Sequence, residues 1–145
     1  MTTDAAAIAE VLGGPEVLGR EIRSFADLER AVMAGLPKAA LRHVAEIVFP
    51  DARRRRRLIY AVVPEASYKR RRQCLTPAES ARAERLARVV AAARRVWGEG
   101  GDLANFLTTP HPMLEGRTPL EAARSEIGAR RVEQILAALE WGLPV

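Results

Sequence analysis

The segment His111-Pro112-Met113-Leu114-Glu115-Gly116-Arg117-Thr118-Pro119-Leu120-Glu121 contains one of the clearest helix starts in the chain. Thr118 and Glu121 form a capping box, in which the Thr hydroxyl and the Glu carboxylate can each accept a hydrogen bond from an otherwise unpaired backbone amide. Pro119 suits the first helical position, where its missing N–H loses no hydrogen bond. We therefore expect a helix that starts here and ends near Gly128.

Working outward from this segment, the remainder of the chain also follows a helical pattern. A second C-terminal helix should end at Gly142, because apolar residues recur at helical spacing on one face: Val132, Ile135, Leu136 and Leu139. Thr76-Pro77-Ala78-Glu79 repeats the capping box and opens a long helix that should stop at Gly98. The apolar face of this long helix is predicted to contain Leu86, Val89, Val90, Ala93, Val96 and Trp97.

Caps and breakers divide the first half of the chain into shorter helices. The N-cap Ser24 precedes an apolar stripe of Phe25, Leu28, Val32 and Met33 that ends at Gly35. The other expected helices cover residues 4–12, stopped by Gly13-Gly14-Pro15, then 37–50, 51–62, 64–72 and a short one capped by Asp102. With 48% hydrophobic and only 5% aromatic residues in 145, we predict an all-α fold.

Composition also indicates the cellular compartment in which the protein is expected. A single cysteine, Cys74, excludes an internal disulfide framework and fits a reducing environment. The chain begins without a basic region followed by an apolar one, and no apolar run approaches the length that spans a membrane. We expect a cytoplasmic protein with no membrane contact.

The net charge of +5 conceals a strong asymmetry along the chain. Residues 53–72 contain nine basic groups and one glutamate, which gives +8, so the other residues sum to −3. A charge so concentrated creates a local positive field that suits phosphates or an acidic partner.

The basic groups fall on two consecutive short helices, in the order of a helix-turn-helix unit whose second helix enters the major groove of DNA. Five consecutive arginines could be only a solvated helix face, but a second cluster nearby favours phosphate contact. The predicted DNA-binding residues are Arg53, Arg54, Arg57, Ser67, Tyr68, Lys69, Arg70, Arg71 and Arg72. The second helix should contact base edges or groove phosphates, and the arginines of the first should contact backbone phosphate or face solvent.

Catalytic and metal-binding constellations are not evident in the sequence. His43 and His111 are the only histidines, and neither has metal-ligand spacing to Cys74. The sequence contains no phosphate-cradling glycine loop and no nucleophile elbow. We expect a non-enzyme that needs no cofactor and no metal.

From about Arg82 to Val145 the chain resembles the toxin-binding domain of the Xre/MbcA/ParS antitoxins. The resemblance is carried by the His-Pro-x-Leu-x-Gly-Arg-Thr-Pro-Leu turn, by Gly128-Ala129-Arg130-Arg131-Val132-Glu133 and by the Glu140-Trp141-Gly142 ending. It implies the antitoxin of a bacterial type II pair, whose toxin is a RES-domain enzyme that degrades NAD or transfers ADP-ribose from it. It also implies an N-terminal Xre-like helix-turn-helix domain that binds promoter DNA of its own operon.

On this basis we divide the chain into an Xre-like helix-turn-helix region at 1–75, a connecting helix at 76–98 and a toxin-binding domain at 99–145. The predicted toxin-binding residues are His111, Leu114, Arg117, Arg130, Arg131, Glu140, Trp141, Leu143 and Val145. Trp141 could instead fill the core against Val132 or Leu136, and His111 could serve only the turn.

Binding to paired DNA half-sites would require a homodimer, which would lie within a larger complex with the toxin. The dimer contact could come from the segment up to Gly35 or from the long helix that starts at Thr76. The alternative function is that of a free-standing dimeric helix-turn-helix transcription regulator without a toxin partner. A third possibility, an NAD-pathway enzyme, is disfavoured by the missing catalytic constellation.

Overall fold

The structure, a computed structural model, describes residues 3–142 and is helical throughout that range. Its elements are α1 (Ala5–Val11), α2 (Gly14–Leu18), α3 (Phe25–Ala34), α4 (Lys38–Val48), α5 (Ala52–Val62), α6 (Glu65–Arg70), α7 (Pro77–Trp97), α8 (Gly101–Thr108), a 3₁₀ turn (Pro112–Leu114), α9 (Pro119–Ala122) and α10 (Glu126–Glu140). Within these residues no β-strand is formed. The predicted all-α fold class is therefore confirmed.

The helices start where the capping residues place them. The Ser24 hydroxyl accepts a hydrogen bond from the amide of Asp27, and the Asp51 carboxylate accepts one from the amide of Arg54. Reciprocal capping boxes form at Thr76 with Glu79 and at Thr118 with Glu121. Side chains at these positions therefore satisfy amides that the first helical turn leaves unpaired, as the sequence predicts.

The helix that begins at Thr118 is much shorter than predicted. It ends at Ala122, and Ser125 then caps α10 by accepting a hydrogen bond from the amide of Gly128. Gly128 therefore lies inside a helix and does not end one. A Cβ at Gly128 would come within 1.9 Å of the carbonyl oxygen of Ala122, so glycine is required for the close approach of the two helices.

Two smaller expectations, in α3 and α8, were also wrong. Phe25 and Met33 of the predicted stripe are 54% and 67% exposed, whereas Leu28 is buried as predicted and Ala31 is buried beside it. The Gly13-Gly14-Pro15 segment follows the end of α1 as predicted, and α2 begins at once because proline is accepted in a first helical turn. At α8, Gly100 is the N-cap without a side-chain hydrogen bond, and Asp102 lies in the first turn.

The long helix α7 is the centre of the fold. It packs against α1, α3 and α4 on the N-terminal side and against α8 and α10 on the C-terminal side. The predicted residues Leu86, Val89, Val90 and Ala93 of α7 are buried and Val96 is half-buried, but the prediction was wrong for Trp97, which is 40% exposed at the end of the helix. The buried side chains of the described residues form one continuous cluster, so both halves of the chain share a core along α7.

Backbone hydrogen bonds fix the segment that joins α6 to α7. The amide of Lys38 donates to the carbonyl of Gln73 over 2.7 Å, and the amide of Leu75 donates to that of Leu36 over 2.8 Å. Gly35 makes room for this pairing, because it has a φ of +97° and a Cβ there would lie 2.6 Å from the carbonyl oxygen of Leu75. The start of α4 thus holds the end of α6 in place.

Candidate nucleic-acid and partner-binding surfaces

The five arginines of α5 do not share one environment. Arg55 turns toward the protein and donates from Nε to the carbonyl of Phe49 over 2.7 Å. Arg54 pairs with Asp51 at 2.6 Å and lies over the Phe49 ring. Arg53, Arg56 and Arg57 are exposed, and their guanidinium groups have neither a hydrogen bond nor an ion pair with any residue between 3 and 142.

Tyr68 of α6 is buried and has a structural role. Its ring meets Tyr60 of α5 edge to face with 6.0 Å between centroids, and the ammonium group of Lys38 lies 4.4 Å from the ring centroid. Burial raises the pKa of the Tyr68 phenol. Tyr68 therefore attaches α6 to α5 and α4, and we do not include it among residues that face a ligand.

Arg71, predicted in the second basic helix, lies just beyond it because α6 ends at Arg70. Its guanidinium group donates two hydrogen bonds to Glu79, from Nε over 2.9 Å and from Nη2 over 3.0 Å. These bonds lower the pKa of the buried Glu79 carboxyl to about 2. The pair ties the end of α6 to the first turn of α7.

Of the other residues predicted on α6, Ser67 is half-buried and its hydroxyl accepts a hydrogen bond from Arg70 over 3.4 Å. Lys69 pairs with Glu65 at 2.6 Å. Six of the seven exposed cations on these two helices and just after them, all but Arg54, form what we call the α5–α6 basic surface: Arg53, Arg56, Arg57, Lys69, Arg70 and Arg72. Because most of them are not engaged in strong internal pairs, their charge is available to phosphates.

The turn at 111–117 is held together by its own residues. The His111 ring nitrogen Nδ1 accepts a hydrogen bond from the amide of Met113 over 3.0 Å, and Leu114 is fully buried. Arg117 donates to the carbonyl of Leu114, and Arg131 of α10 donates to the carbonyl of Met113 over 2.8 Å. His111, Leu114 and Arg117 thus shape the turn, which presents Met113 at 53% exposure.

Glu115 connects this turn to α10. It has a left-handed backbone conformation with a φ of +55°, which is uncommon outside glycine. Both its carboxylate oxygens accept hydrogen bonds from Arg131, at 2.8 and 2.5 Å, and these bonds lower the pKa of the carboxyl. The predicted toxin-binding residue Arg131 is therefore engaged within the protein.

A second charged cluster joins α7 to α10. Arg88 of α7 donates to Glu126 over 2.8 Å, and its Nε lies 3.2 Å from Glu133 without the alignment of a hydrogen bond. Burial raises the pKa values of Glu84 and Glu133. Burial would also raise the pKa of Glu126, but the hydrogen bonds and positive charges of Arg88 and Arg85 together outweigh burial, so this pKa is lowered. Arg88 therefore holds several carboxyl groups in a partly buried site.

The outward face of α10 carries the exposed apolar groups of the C-terminal half. Ile127 is 73% and Trp141 68% exposed, so the interpretation of Trp141 as a core residue is wrong. Ile127, Arg130, Gln134 and Trp141 project within about 60° of one another around the helix, opposite the buried stripe. We call these four residues the α10 outer face.

Sequence reasoning missed Ile127, although its position off the apolar stripe of α10 could have revealed it. Of the other residues predicted here, Glu140 pairs with Arg95 at 3.1 Å, while Leu143 and Val145 lie outside the described residues. A stacked pair of Trp97 and Phe106, with centroids 5.7 Å apart, adds a further partly exposed aromatic surface.

Two consecutive parts of the chain match domain families of known proteins. Residues 27–88 match the family described as the antitoxin Xre-like helix-turn-helix domain, which includes α5 and α6. Residues 92–142 match the antitoxin Xre/MbcA/ParS C-terminal toxin-binding domain, which includes the turn and α10. The boundary between the two matches falls inside α7. None of the helices found between residues 3 and 142 is both long and apolar enough to cross a membrane.

A curated relative, Antitoxin Xre of Pseudomonas putida, is 35% identical over 72 residues, which are 50% of this chain and 45% of that protein. This chain thus aligns with about half the length of that relative. Together with the two consecutive domain matches, the alignment supports an Xre/MbcA/ParS-type antitoxin.

Proposed function

We propose that this protein is the antitoxin of a type II pair and that its partner is a RES-domain toxin that consumes NAD, either by degrading it or by transferring ADP-ribose. The C-terminal residues would cover the active-site cleft of the toxin and so exclude NAD. Inhibition then needs no chemistry from this chain. The match of residues 92–142 to a toxin-binding domain supports the proposal, together with its resemblance to antitoxins of RES toxins.

The observation that carries the proposal is the α10 outer face. Ile127 and Trp141 are large apolar groups that this fold leaves in contact with water, although the described core offers many buried positions. Exposed tryptophan and arginine side chains are typical of the residues that contribute most to protein interfaces. Because Arg131 and Glu140 already pair within the protein, we propose Ile127, Arg130 and Trp141 as the main toxin contacts.

The test is co-expression of this chain with the product of the neighbouring gene, followed by affinity pull-down and an NAD-consumption assay. The wild-type chain should form a stable complex and suppress NAD loss. The variant Ile127→Ser/Trp141→Ala should lose at least about tenfold in affinity, because the changes remove exposed apolar area at both ends of the proposed contact. Helix content measured by circular dichroism should stay unchanged.

A matched control is Met33→Ser/Phe25→Ala, which also removes one exposed aliphatic and one exposed aromatic side chain, but on α3. Its affinity for the toxin should equal that of the wild type. If both double variants lose affinity equally, the α10 outer face is not the contact. If the wild type forms no complex and NAD loss continues, the toxin-binding proposal fails and a free-standing transcription regulator becomes the better account.

We further propose that the α5–α6 basic surface binds promoter DNA of the operon and represses it. Six exposed cations on consecutive short helices, attached through Tyr68 and the Arg71–Glu79 pair to the shared core, support this proposal. A homodimer would place two such surfaces on paired half-sites. The dimer contact would be formed by the N-terminal segment or by α7. The mass of the complex with a duplex, measured by light scattering, would test whether two chains bind together.

A further inference from the structure

A groove with a volume of about 540 Å³ separates the two matched halves of the chain. One wall is α5, with Arg57 and Leu58, and the other is formed by α9 and the residues after it, with Leu120 and Arg124. Leu86 of α7 lies at the base. Any molecule in this groove would therefore contact the helix-turn-helix part and the toxin-binding part at once.

The rim of the groove is strongly positive. Its charged lining residues are Arg54, Arg57, Arg82, Arg85, Arg124 and Glu121, so the formal charge is five minus one, or +4. Three of the arginines are partly engaged: Arg54 by Asp51, Arg82 by the carbonyl of Val62 and Arg85 by Glu126.

The guanidinium groups of the other two rim arginines have no such partner. Across residues 3–142, neither Arg57 nor Arg124 forms a hydrogen bond or an ion pair through its side chain. Both line the groove, Arg57 from α5 and Arg124 from the residues after α9. A single anionic group lying between them could accept hydrogen bonds from both.

The base of the groove is apolar, and this distinguishes it from a simple DNA contact. Leu58 and Leu86 are 8% and 3% exposed, and Leu120 and Val62 are half-buried beside them. The backbone of a DNA duplex presents phosphate and sugar to a protein, and neither group requires an apolar surface of leucines. An apolar floor with a few convergent charged groups is typical of small-molecule sites, and the volume lies in their usual range.

We infer that the groove binds a small organic anion, a molecule with an apolar body and one or two phosphate or carboxylate groups. The body lies on Leu58, Leu86 and Leu120, and the anionic group accepts hydrogen bonds from Arg57 and Arg124. Guanidinium groups suit this role because they pair with phosphate or carboxylate through two parallel hydrogen bonds.

Occupancy of the groove has a consequence for DNA binding. Arg57 belongs to the α5–α6 basic surface, so an anion bound to it removes one phosphate contact and adds negative charge beside the others. Bound ligand and bound duplex therefore weaken each other by the same factor. This consequence rests on the proposed function, whereas ligand binding itself does not.

The first experiment is a fluorescence titration of the full chain with 1-anilinonaphthalene-8-sulfonate, which combines fused rings with one anionic group. The wild type should show saturable enhancement of fluorescence. The variant Arg57→Glu/Arg124→Glu should bind at least about tenfold more weakly, because it replaces both unpaired cations with like charges to the probe. Leu120→Gln should also weaken binding, since it removes apolar contact and leaves the charge unchanged.

Arg56→Glu is the control, because it makes one such charge reversal on the same helix as Arg57 but outside the groove. It should leave probe affinity within about twofold of the wild type. Circular dichroism of each variant checks that the fold is retained. Absence of saturable binding, or equal weakening by Arg56→Glu and Arg57→Glu/Arg124→Glu, would overturn the assignment of the groove.

Two displacement experiments distinguish the kinds of anion. Displacement of the probe by 1-naphthyl phosphate and not by 2-naphthoate identifies a phosphate site, and the reverse identifies a carboxylate site. Failure of both compounds to displace the probe contradicts the inference, because the shared chemistry of ring and anion would then be insufficient for binding.

The link to DNA is measured separately with a labelled duplex of about 20 base pairs at low salt. Saturating probe should weaken duplex binding by the wild type, and in Arg57→Glu/Arg124→Glu it should have no effect. Unchanged duplex affinity in the wild type disproves the link. If the wild type does not bind the duplex at all, the proposed DNA-binding function fails, while the titration still decides the ligand site.

Discussion

Arginine has different tasks in the two halves of this molecule. On α5 the outward residues Arg53, Arg56 and Arg57 have no side-chain partner within the described range 3–142, and these cations remain at the surface. On α7 and α10, Arg88 and Arg131 each pair with glutamates and connect separate parts of the chain. The exposed recognition groups there are apolar, Ile127 and Trp141.

The difference shows how one residue type serves two kinds of partner. Unpaired surface cations attract a polyanion over distance and cost the fold little, since they remain solvated. Paired arginines position helices, and their charge is no longer available to a partner. Local charge density alone would not have separated the two groups, because arginines are frequent in both α5 and α7.

The largest expected effect comes from breaking the paired group at Arg88, which lies close to three carboxyl groups. Arg88→Met should lower the free energy of unfolding by about 3 kcal/mol, because it leaves Glu84, Glu126 and Glu133 without their shared cation. Urea denaturation at pH 7 measures the loss. The same substitution at the unpaired Arg56 should change the free energy by less than about 0.5 kcal/mol. Equal losses would mean that the pairing does not matter for stability.

Removing the unpaired group should affect binding and leave stability nearly unchanged. Arg53→Gln/Arg56→Gln/Arg57→Gln should weaken duplex binding about 100-fold at low salt and reduce the slope of log affinity against log salt by about 3, one for each lost phosphate contact. Fluorescence anisotropy across a salt series measures both quantities. An unchanged slope would show that these arginines do not contact phosphate.

Breaking the Arg71–Glu79 pair tests the join between α6 and α7. Glu79→Gln should cost about 2 kcal/mol at pH 7, since a partly buried guanidinium group loses its carboxylate partner. The pKa of Glu79 is about 2 in the folded chain and 4.5 ordinarily, so the wild-type advantage is complete above pH 4.5 and declines as the pH falls toward 2.

Unfolding by urea at several pH values between 7 and 3 measures this dependence. Glu65→Gln is the matched control, because Glu65 pairs with Lys69 at an exposed site. It should show no measurable change in stability at any pH. If the loss of stability in Glu79→Gln does not become smaller as the pH falls, the pair contributes through packing and not through charge.

The smallest effect is expected at the turn. Arg131→Gln removes the ion pair with Glu115, whose side chains are 37% and 65% exposed, so solvent and salt screen it. We expect a slight loss of stability at low salt that disappears at high salt, measured by thermal denaturation. A large loss of stability that persists at high salt would show that the turn depends on this ion pair for its structure, although the pair is exposed.

Much of the helix layout followed from local chemistry, because a cap involves residues only three positions apart. Ser24, Asp51, Thr76 and Thr118 all mark helix starts that the structure contains. The end of the helix after Thr118 could not be predicted in the same way. Ser125 caps the next helix within three residues, and Gly128 faces the backbone of Ala122, which is a packing contact.

The candidate surfaces divide similarly. A basic region over residues 53–72 is a property of the sequence, as is the resemblance of the C-terminal half to a toxin-binding domain. Tyr68 and Arg71 were predicted to face DNA, but Tyr68 is buried against Tyr60, and Arg71 pairs with Glu79. The selection among neighbouring residues therefore depends on contacts with distant parts of the chain.

The sequence by itself determined that the chain is helical, where most helices begin, where its positive charge is concentrated and which family it resembles. These properties depend on residue type and short spacing, which act within one or two helical turns. The tertiary structure alone decided which arginines stay unpaired, that Ile127 and Trp141 remain exposed, and that a groove separates α5 from α9. Ion pairs, burial and grooves join residues far apart in sequence, so they are settled only when the helices pack around α7.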